Sequence, residues 1–386
     1  MVPLGDRASG ATGDPGSRSI AVYLTLLLRE IALAPGGPPL STVYVGGGTP
    51  SMLTPAQLGE VLAALRRRFG LAPGAEVSLE MDPASFDQQH LAGYLAAGVT
   101  RVSLGGQSFD DAVLERLGRR HRREDLLQAA GWLAAAQRRG ALSSWSLDLI
   151  QGLPGLDRPA WREQLRQAVE LAPPHLSVYD LIIEPGTVFE QQQARGQLQL
   201  PEEDLAADLM ELTASVLADA GYGHYEISNY AIPGHASRHN RVYWSGAGWW
   251  GFGLGATSAP WGMRLARPRT REAYAAWLAG PEAVAAAMPP MDLRAAAMPF
   301  EERVMVGLRR REGVRLMALA HEAGLPAPAV AALERRWQPH LEQGLLHRCG
   351  RRWQLSDPEG LALSNVVLRE LLAWWEAWSA ERPPSP

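Results

Sequence analysis

The 386-residue chain reads as an α/β protein on a parallel sheet, followed by a small helical domain. Short β-branched runs alternate with amphipathic stretches through the first half of the sequence, the rhythm of strand–helix units. Five of the predicted strands lead into Gly-rich, polar loops: "GGGTPS", "EMDPAS", "GGQSFD", "DLIQGLPG" and "YDLIIEPGT". After Phe300 the pattern changes to helices with one hairpin-like stretch. The sheet is either doubly wound or closed into a barrel, and in both designs chemistry collects where strands end and helices begin.

The elements follow in order. Residues 1–16 are rich in Gly, Asp, Ala and Pro, and predict a poorly ordered N-terminus. Ile20–Leu33 is apolar at helical spacing; Thr42–Val45 is a strand stopped by three glycines; Pro55–Phe69 is an amphipathic helix with proline at its start. Glu76–Met81 is a strand, Phe86–Ala97 a helix closed by Gly98, and Val99–Leu104 the next strand. Helices start at Asp110 and Arg123. Strands over Ser144–Ile150 and Leu176–Ile183 flank a helix over Pro159–Leu171, and Glu202–Ala220 is a long helix. This first domain is expected over residues 17–278, with an extension at about 221–261 dense in Gly, aromatics and His. An Ala/Pro-rich linker is expected over 279–298, then a helical domain over 299–386 with a two-stranded wing at "LLHRCGRRWQLSD".

The composition excludes several function classes. A formal charge of -4 gives no electrostatic basis for nucleic-acid binding. No apolar run reaches the length of a membrane span, and the polar N-terminus is no secretory signal; the expectation is a cytoplasmic protein. Cys349 is the single cysteine, so neither an intrachain disulfide nor a cysteine metal cluster can be built from this chain.

Taken together, the loops make a ligand-binding kit. Gly46, Gly47 and Gly48 let backbone groups approach a ligand at distances that a Cβ would block. Glu80 can accept from an ammonium or a ribose hydroxyl, Gln107 can donate and accept, Arg119 can clamp a carboxylate, and Asp148 can take ribose hydroxyls. Such a set suits a ligand with an amino-acid end and a nucleoside end.

"GGGTPS", "EMDP", "RVSLGGQSF", the spacing from Gln107 to Arg119, "DLIQGLP" and "EPGT" resemble the radical S-adenosylmethionine proteins of the oxygen-independent coproporphyrinogen III oxidase and HemW haem-chaperone family. The resemblance runs from about residue 40 into the C-terminal domain. It implies a partial (β/α)6 barrel, here without its first strand, that binds S-adenosylmethionine. Gly47, Gly48 and Thr49 would meet the methionine amino group, and Glu80, Gln107, Arg119 and Asp148 would hold the rest. "HNRVYW", His239–Trp244, resembles a stretch associated with haem binding in the chaperone branch. His239 is then the candidate axial haem ligand, since a neutral imidazole suits iron; it competes with the plainer reading of a hydrogen-bonded core histidine. His224, His235 and Cys349 are weaker candidates. Trp244, Trp249, Trp250 and Phe252 read as core in preference to a porphyrin platform.

The family's three-cysteine segment, which holds a [4Fe-4S] cluster, has no counterpart in this sequence. Either the sequence starts late or the barrel is cluster-free. The intact cofactor loops favour the first, and in both cases the chain as written is expected to cleave no S-adenosylmethionine. The strand at Thr42–Val45 should present an edge, and the helix at Ile20–Leu33 should lack part of its cover. The implied function is a haem chaperone that passes haem to an acceptor protein. The alternatives are oxidative decarboxylation of coproporphyrinogen III and a cluster-free barrel for nucleosides or haem.

Overall fold

The computed structural model describes residues 18–181, 183, 188–196, 203–281, 283 and 298–380. The expected N-terminal disorder, most of the linker and the "EPGT" loop lie outside these residues.

A helix, α1 (Arg18–Leu33), precedes the sheet. Strands β1 (Leu40–Val45), β2 (Leu71–Met81), β3 (Arg101–Gln107), β4 (Ser144–Gln151) and β5 (His175–Asp180) then pair in sequence order, all parallel. Between them run α2 (Pro55–Phe69), α3 (Gln88–Ala97), α4 (Asp111–Arg116), α5 (Arg123–Arg138) and α6 (Arg158–Glu170). Their starts follow local chemistry. Thr54 and Gln57 form a capping box ahead of a proline at α2, while Asp87, Asp110 and Asp157 cap α3, α4 and α6 with their carboxylates. Leu79, Val102, Leu104, Leu147, Leu149 and Leu176 are fully buried beneath these helices, the apolar half of each strand's alternation.

The sheet is larger than a five-strand parallel reading. After α7 (Val188–Ala194) and α8 (Glu203–Asp219), a hairpin of β6 (Gly223–Glu226) and β7 (Asn229–Ala231) adds antiparallel to β5, giving the order β1-β2-β3-β4-β5-β7-β6. The aromatic-rich extension therefore supplies sheet as well as loop. Among the described residues β1 pairs with β2 alone, as expected of an edge, and the short helix α9 (Arg238–Trp244) packs on it.

The expectation that the first helix lacks cover is corrected. Helix α1 packs against α2 and against α10 (Arg271–Ala279). Its buried Glu30 accepts from Arg267 Nε at 2.6 Å and from Gly253 N at 2.8 Å, and also from the Tyr274 hydroxyl. A carboxylate 3% exposed is tolerable in an apolar layer only with such partners.

The C-terminal unit has its own core around Trp337, Leu333, Val367 and Leu371. Its wing is the hairpin of Leu346–Cys349 and Arg352–Leu355. It meets the barrel through His224, whose Nδ1 lies 2.6 Å from Asp357 Oδ1, and through Arg311 N, which donates to Tyr225 O at 3.2 Å.

Candidate functional site

Register builds the site. Thr42 and Tyr44 of β1, Glu76, Ser78 and Glu80 of β2, Arg101 and Ser103 of β3, Ser146 and Asp148 of β4, and His175 and Ser177 of β5 all alternate at period two. Thr42 pairs with Glu76, Glu80 with Ser103, Ser103 with Ser146, and Asp148 with Ser177. One face of the sheet therefore carries a row of polar side chains, while the residues between them bury into the apolar layer.

At the C-terminal end of the strands the glycine loop and Glu80 are one unit. Glu80 Oε2 accepts from Gly47 N at 2.8 Å, and Oε1 accepts from the Tyr44 hydroxyl at 2.9 Å. Gly46 is obligatory for space, because a Cβ there would stand 2.6 Å from the Tyr44 ring and 2.8 Å from Glu80 Oε1. Gly47 and Gly48 are needed for conformation instead: both have positive φ, 81° and 68°. The Gly47 N–H is spent on Glu80, so the loop offers a ligand its carbonyls. Thr49, at φ −142° and ψ 83°, makes no capping bond with its side chain.

Asp148 accepts from Ser103 at 2.6 Å, from Ser146 at 3.3 Å and from Ser177. Burial raises its carboxyl, the three hydroxyls pull it part of the way back and the charge of Glu80 adds to the rise, leaving it at about 6. Gln107 ends β3 at a bulge with φ 65°, an uncommon backbone for a non-glycine residue. The side chain folds back over Gly105, which pairs with Asp148. Arg119 lies beyond α4 near Asp82. Burial alone would raise the Asp82 carboxyl, but His121, the Ala84 amide and Arg119 hold it below its ordinary value. Glu80 and Asp148 lie close enough for their charges to interact, Gln107 ends the strand between theirs, and Arg119 meets the end of β2 only through its charge on Asp82.

His239 sits on the same polar face, nearer the strand starts. Glu76 accepts from the backbone N–H of Arg238 at 3.1 Å and of His239 at 3.0 Å, so a carboxylate from β2 anchors the first turn of α9. The Ser237 hydroxyl caps the same turn through Asn240 N. The imidazole stacks on Tyr44, centroids 5.0 Å apart, with Nδ1 at 2.9 Å from Thr42 Oγ1 and Nε2 at 3.0 Å from the Tyr243 hydroxyl. Burial lowers its pKa to about 4 against an upward pull from Glu76, so the ring is neutral. His239 is a hydrogen-bonded, half-buried histidine, as the plainer reading expected, and the hydroxyl at its outer nitrogen belongs to an exposed tyrosine.

The other candidates separate from this site. His224 is buried, stacks on Tyr230 and pairs with Asp357 as an interdomain tie. His235 Nδ1 lies 3.1 Å from Ser144 Oγ, and its carbonyl accepts from Arg101 at 2.9 Å. Cys349 is exposed on the C-terminal hairpin. Trp250 and Phe252 pack on Phe69 as core, Trp249 meets Tyr243 edge-on, and Trp244 bonds Glu226 beneath the Arg309 guanidinium. The C-terminal unit therefore holds α9 from outside, through Trp244 and through the Arg241–Glu312 pair. Tyr44, Glu76, Arg101 and His175 escaped the sequence reading; their signal was period-two polar placement in strands that otherwise read as apolar.

Comparison with known proteins places the chain in a family. The family model for the radical SAM superfamily matches residues 15–167, and that for the HemN C-terminal domain matches 299–362. The heme chaperone HemW of Synechocystis sp. is 39% identical over 371 residues, 92% of this chain and 88% of that protein. HemW of Escherichia coli is 33% identical, covering 88% and 86%, and HemW of Bacillus subtilis 32%, covering 92% of each. Among solved structures, coproporphyrinogen III oxidase (HemN) from Escherichia coli, a radical SAM enzyme, superposes with a TM-score of 0.73 at 21% identity, over 95% of this chain and 85% of that one. That likeness speaks for the fold. With full-length identity of this order to several HemW proteins, the chain belongs to the HemW family of the radical SAM superfamily.

Proposed function

We propose that the chain binds haem at His239 and hands it to an acceptor protein, with S-adenosylmethionine held in the mouth formed by Gly47, Glu80, Gln107, Arg119 and Asp148. The observation that carries the haem reading is the state of His239: a neutral imidazole with Nδ1 anchored on Thr42 and Nε2 facing an exposed tyrosine. An anchored second nitrogen is what orients a metal-binding histidine. Haem as cargo brings an iron that takes an imidazole as axial ligand. To offer Nε2, the chain has only to turn Tyr243 outward; Thr42, Tyr44 and Glu76 keep the ring in place. Haem titration followed at the Soret band tests this. Wild type is expected to give a ligated spectrum, His239→Ala to lose at least about tenfold in affinity, and Tyr243→Phe, which uncovers Nε2, to bind more tightly than wild type. Unchanged spectra and affinity in His239→Ala would remove His239 as the ligand.

The cradle fits S-adenosylmethionine in its donor set: carbonyls and Glu80 for an ammonium, Asp148 for ribose hydroxyls. A [4Fe-4S] cluster does not fit this chain, because three thiolates are needed and the sequence holds one cysteine, exposed in the C-terminal domain. Reconstitution of the 386-residue chain with iron and sulfide is expected to leave far fewer than roughly four irons per chain. Stoichiometric cluster together with S-adenosylmethionine cleavage would overturn that expectation.

A further inference from the structure

Between the cofactor mouth and α9 lies a small polar cavity with a buried end and an open end. Tyr44, Tyr179 and Asn240 rim the open end; Arg101 and His175 are 5% and 1% exposed at the closed end. Serines 78, 103, 146 and 177 line its sides.

The buried end is rich in donors that have nothing to donate to. Arg101 spends Nη1 on Ser144 Oγ at 3.2 Å and on the His235 carbonyl at 2.9 Å, with Glu76 Oε2 at 4.0 Å. Its Nη2 is buried and has no partner among the described residues. His175 is fixed by Tyr225, whose hydroxyl lies 2.8 Å from His175 Nε2 and accepts from Ser237 N at 3.2 Å. The phenol has one proton, and Nε2 is the acceptor placed to receive it, which puts the imidazole proton on Nδ1. Burial and the neighbouring guanidinium keep this ring neutral. Nδ1 too is buried and has no partner among the described residues. A guanidinium N–H and an imidazole N–H left unsatisfied beside one cavity each cost on the order of 1–3 kcal/mol. A bound acceptor would recover that energy, and a carboxylate suits the charge and the fork of arginine best.

We propose that this cavity is a carboxylate subsite, with Arg101 Nη2 and His175 Nδ1–H as its donors. The ligand is either a short free carboxylate or a carboxylate arm that reaches in past Tyr44 and Asn240. The second source rests on the haem reading above, since haem carries two propionate arms and Asn240 follows His239 directly. The first does not depend on it.

Two measurements on the full chain separate the sources. The first compares the affinities of haem and of its dimethyl ester. With an arm in the subsite, wild type prefers the free acid by about 10- to 100-fold, and Arg101→Met removes the preference; Arg101→Lys, which keeps the charge and loses the fork, replaces it if the methionine variant does not fold. The second titrates propionate against protein labelled with 15N-histidine. With a free carboxylate as ligand, the His175 Nδ1 resonance shifts saturably while acid and ester bind alike. If wild type shows no ester discrimination and propionate leaves His175 unmoved, the cavity holds water only and the proposal falls. A preference that survives in both Arg101 variants also overturns it. Should haem fail to bind at all, the function proposed above is lost, and the propionate titration still decides the subsite.

Discussion

Asp148→Asn is expected to stabilise the protein at neutral pH while weakening S-adenosylmethionine binding. The folded state raises this carboxyl from 3.8 to about 6, so between those values it binds a proton that the unfolded chain has released. Stability therefore falls as pH climbs through that window, and above it the wild type carries the full penalty. The shift corresponds to ~3 kcal/mol, an upper figure given the serine hydroxyls that already solvate the carboxylate. The asparagine has no proton to lose; its one oxygen keeps a serine donor, and its amide N–H2 donates to a serine hydroxyl that turns to accept. Urea denaturation at pH 4 and pH 7.5 checks this: the two proteins should nearly match at pH 4, and the variant should lead by about 2–3 kcal/mol at pH 7.5. A variant no more stable at pH 7.5 would mean the carboxylate is well solvated in the folded state. The same substitution removes the charged acceptor offered to ribose, so stability gained against affinity lost would mark Asp148 as a binding residue.

Glu30→Ala is expected to cost about 3–5 kcal/mol, the penalty for stranding a buried guanidinium. Arg267, 5% exposed, would keep its bonds to Ser258 Oγ and to the Leu265 carbonyl but lose its only carboxylate among the described residues. Tyr274 and Gly253 would lose an acceptor at the same time. The double substitution Glu30→Leu, Arg267→Met should recover most of that loss, since replacing both charges by apolar groups leaves none unpaired. Denaturant midpoints of the single and double variants decide it. If the single change costs under 1 kcal/mol, water reaches the pair, and it does not tie α1 to the 253–274 segment.

These two carboxylates show unequal legibility. Asp148 lies in the second half of β4, just ahead of a Gly-rich loop, and that placement singled it out. Glu30 sits mid-helix in "LLREIAL", where a charge reads as the solvated side. Its partners are more than 220 residues away, on a segment whose path no local pattern encodes.

Local pattern was enough for much of the molecule. Five parallel strands, the helices between them, the wing and the glycine-rich turn follow from short-range effects: β-branched and leucine positions at period two in the strands, aspartate and threonine caps, positive φ at glycine. The antiparallel β6–β7 hairpin was hidden because its strands are four and three residues long, too short for a period to show. The constellation around His239 was decided by tertiary structure alone. Whether the imidazole faces iron, water or a phenol depends on Thr42, Tyr44 and Glu76, which reach it across β1 and β2. The same holds for Arg101 and His175, whose unspent donors exist only because strand register sets them beside one cavity. Side-chain chemistry at such distances is fixed by which strands pair and in what register, and that is a property of the whole sheet.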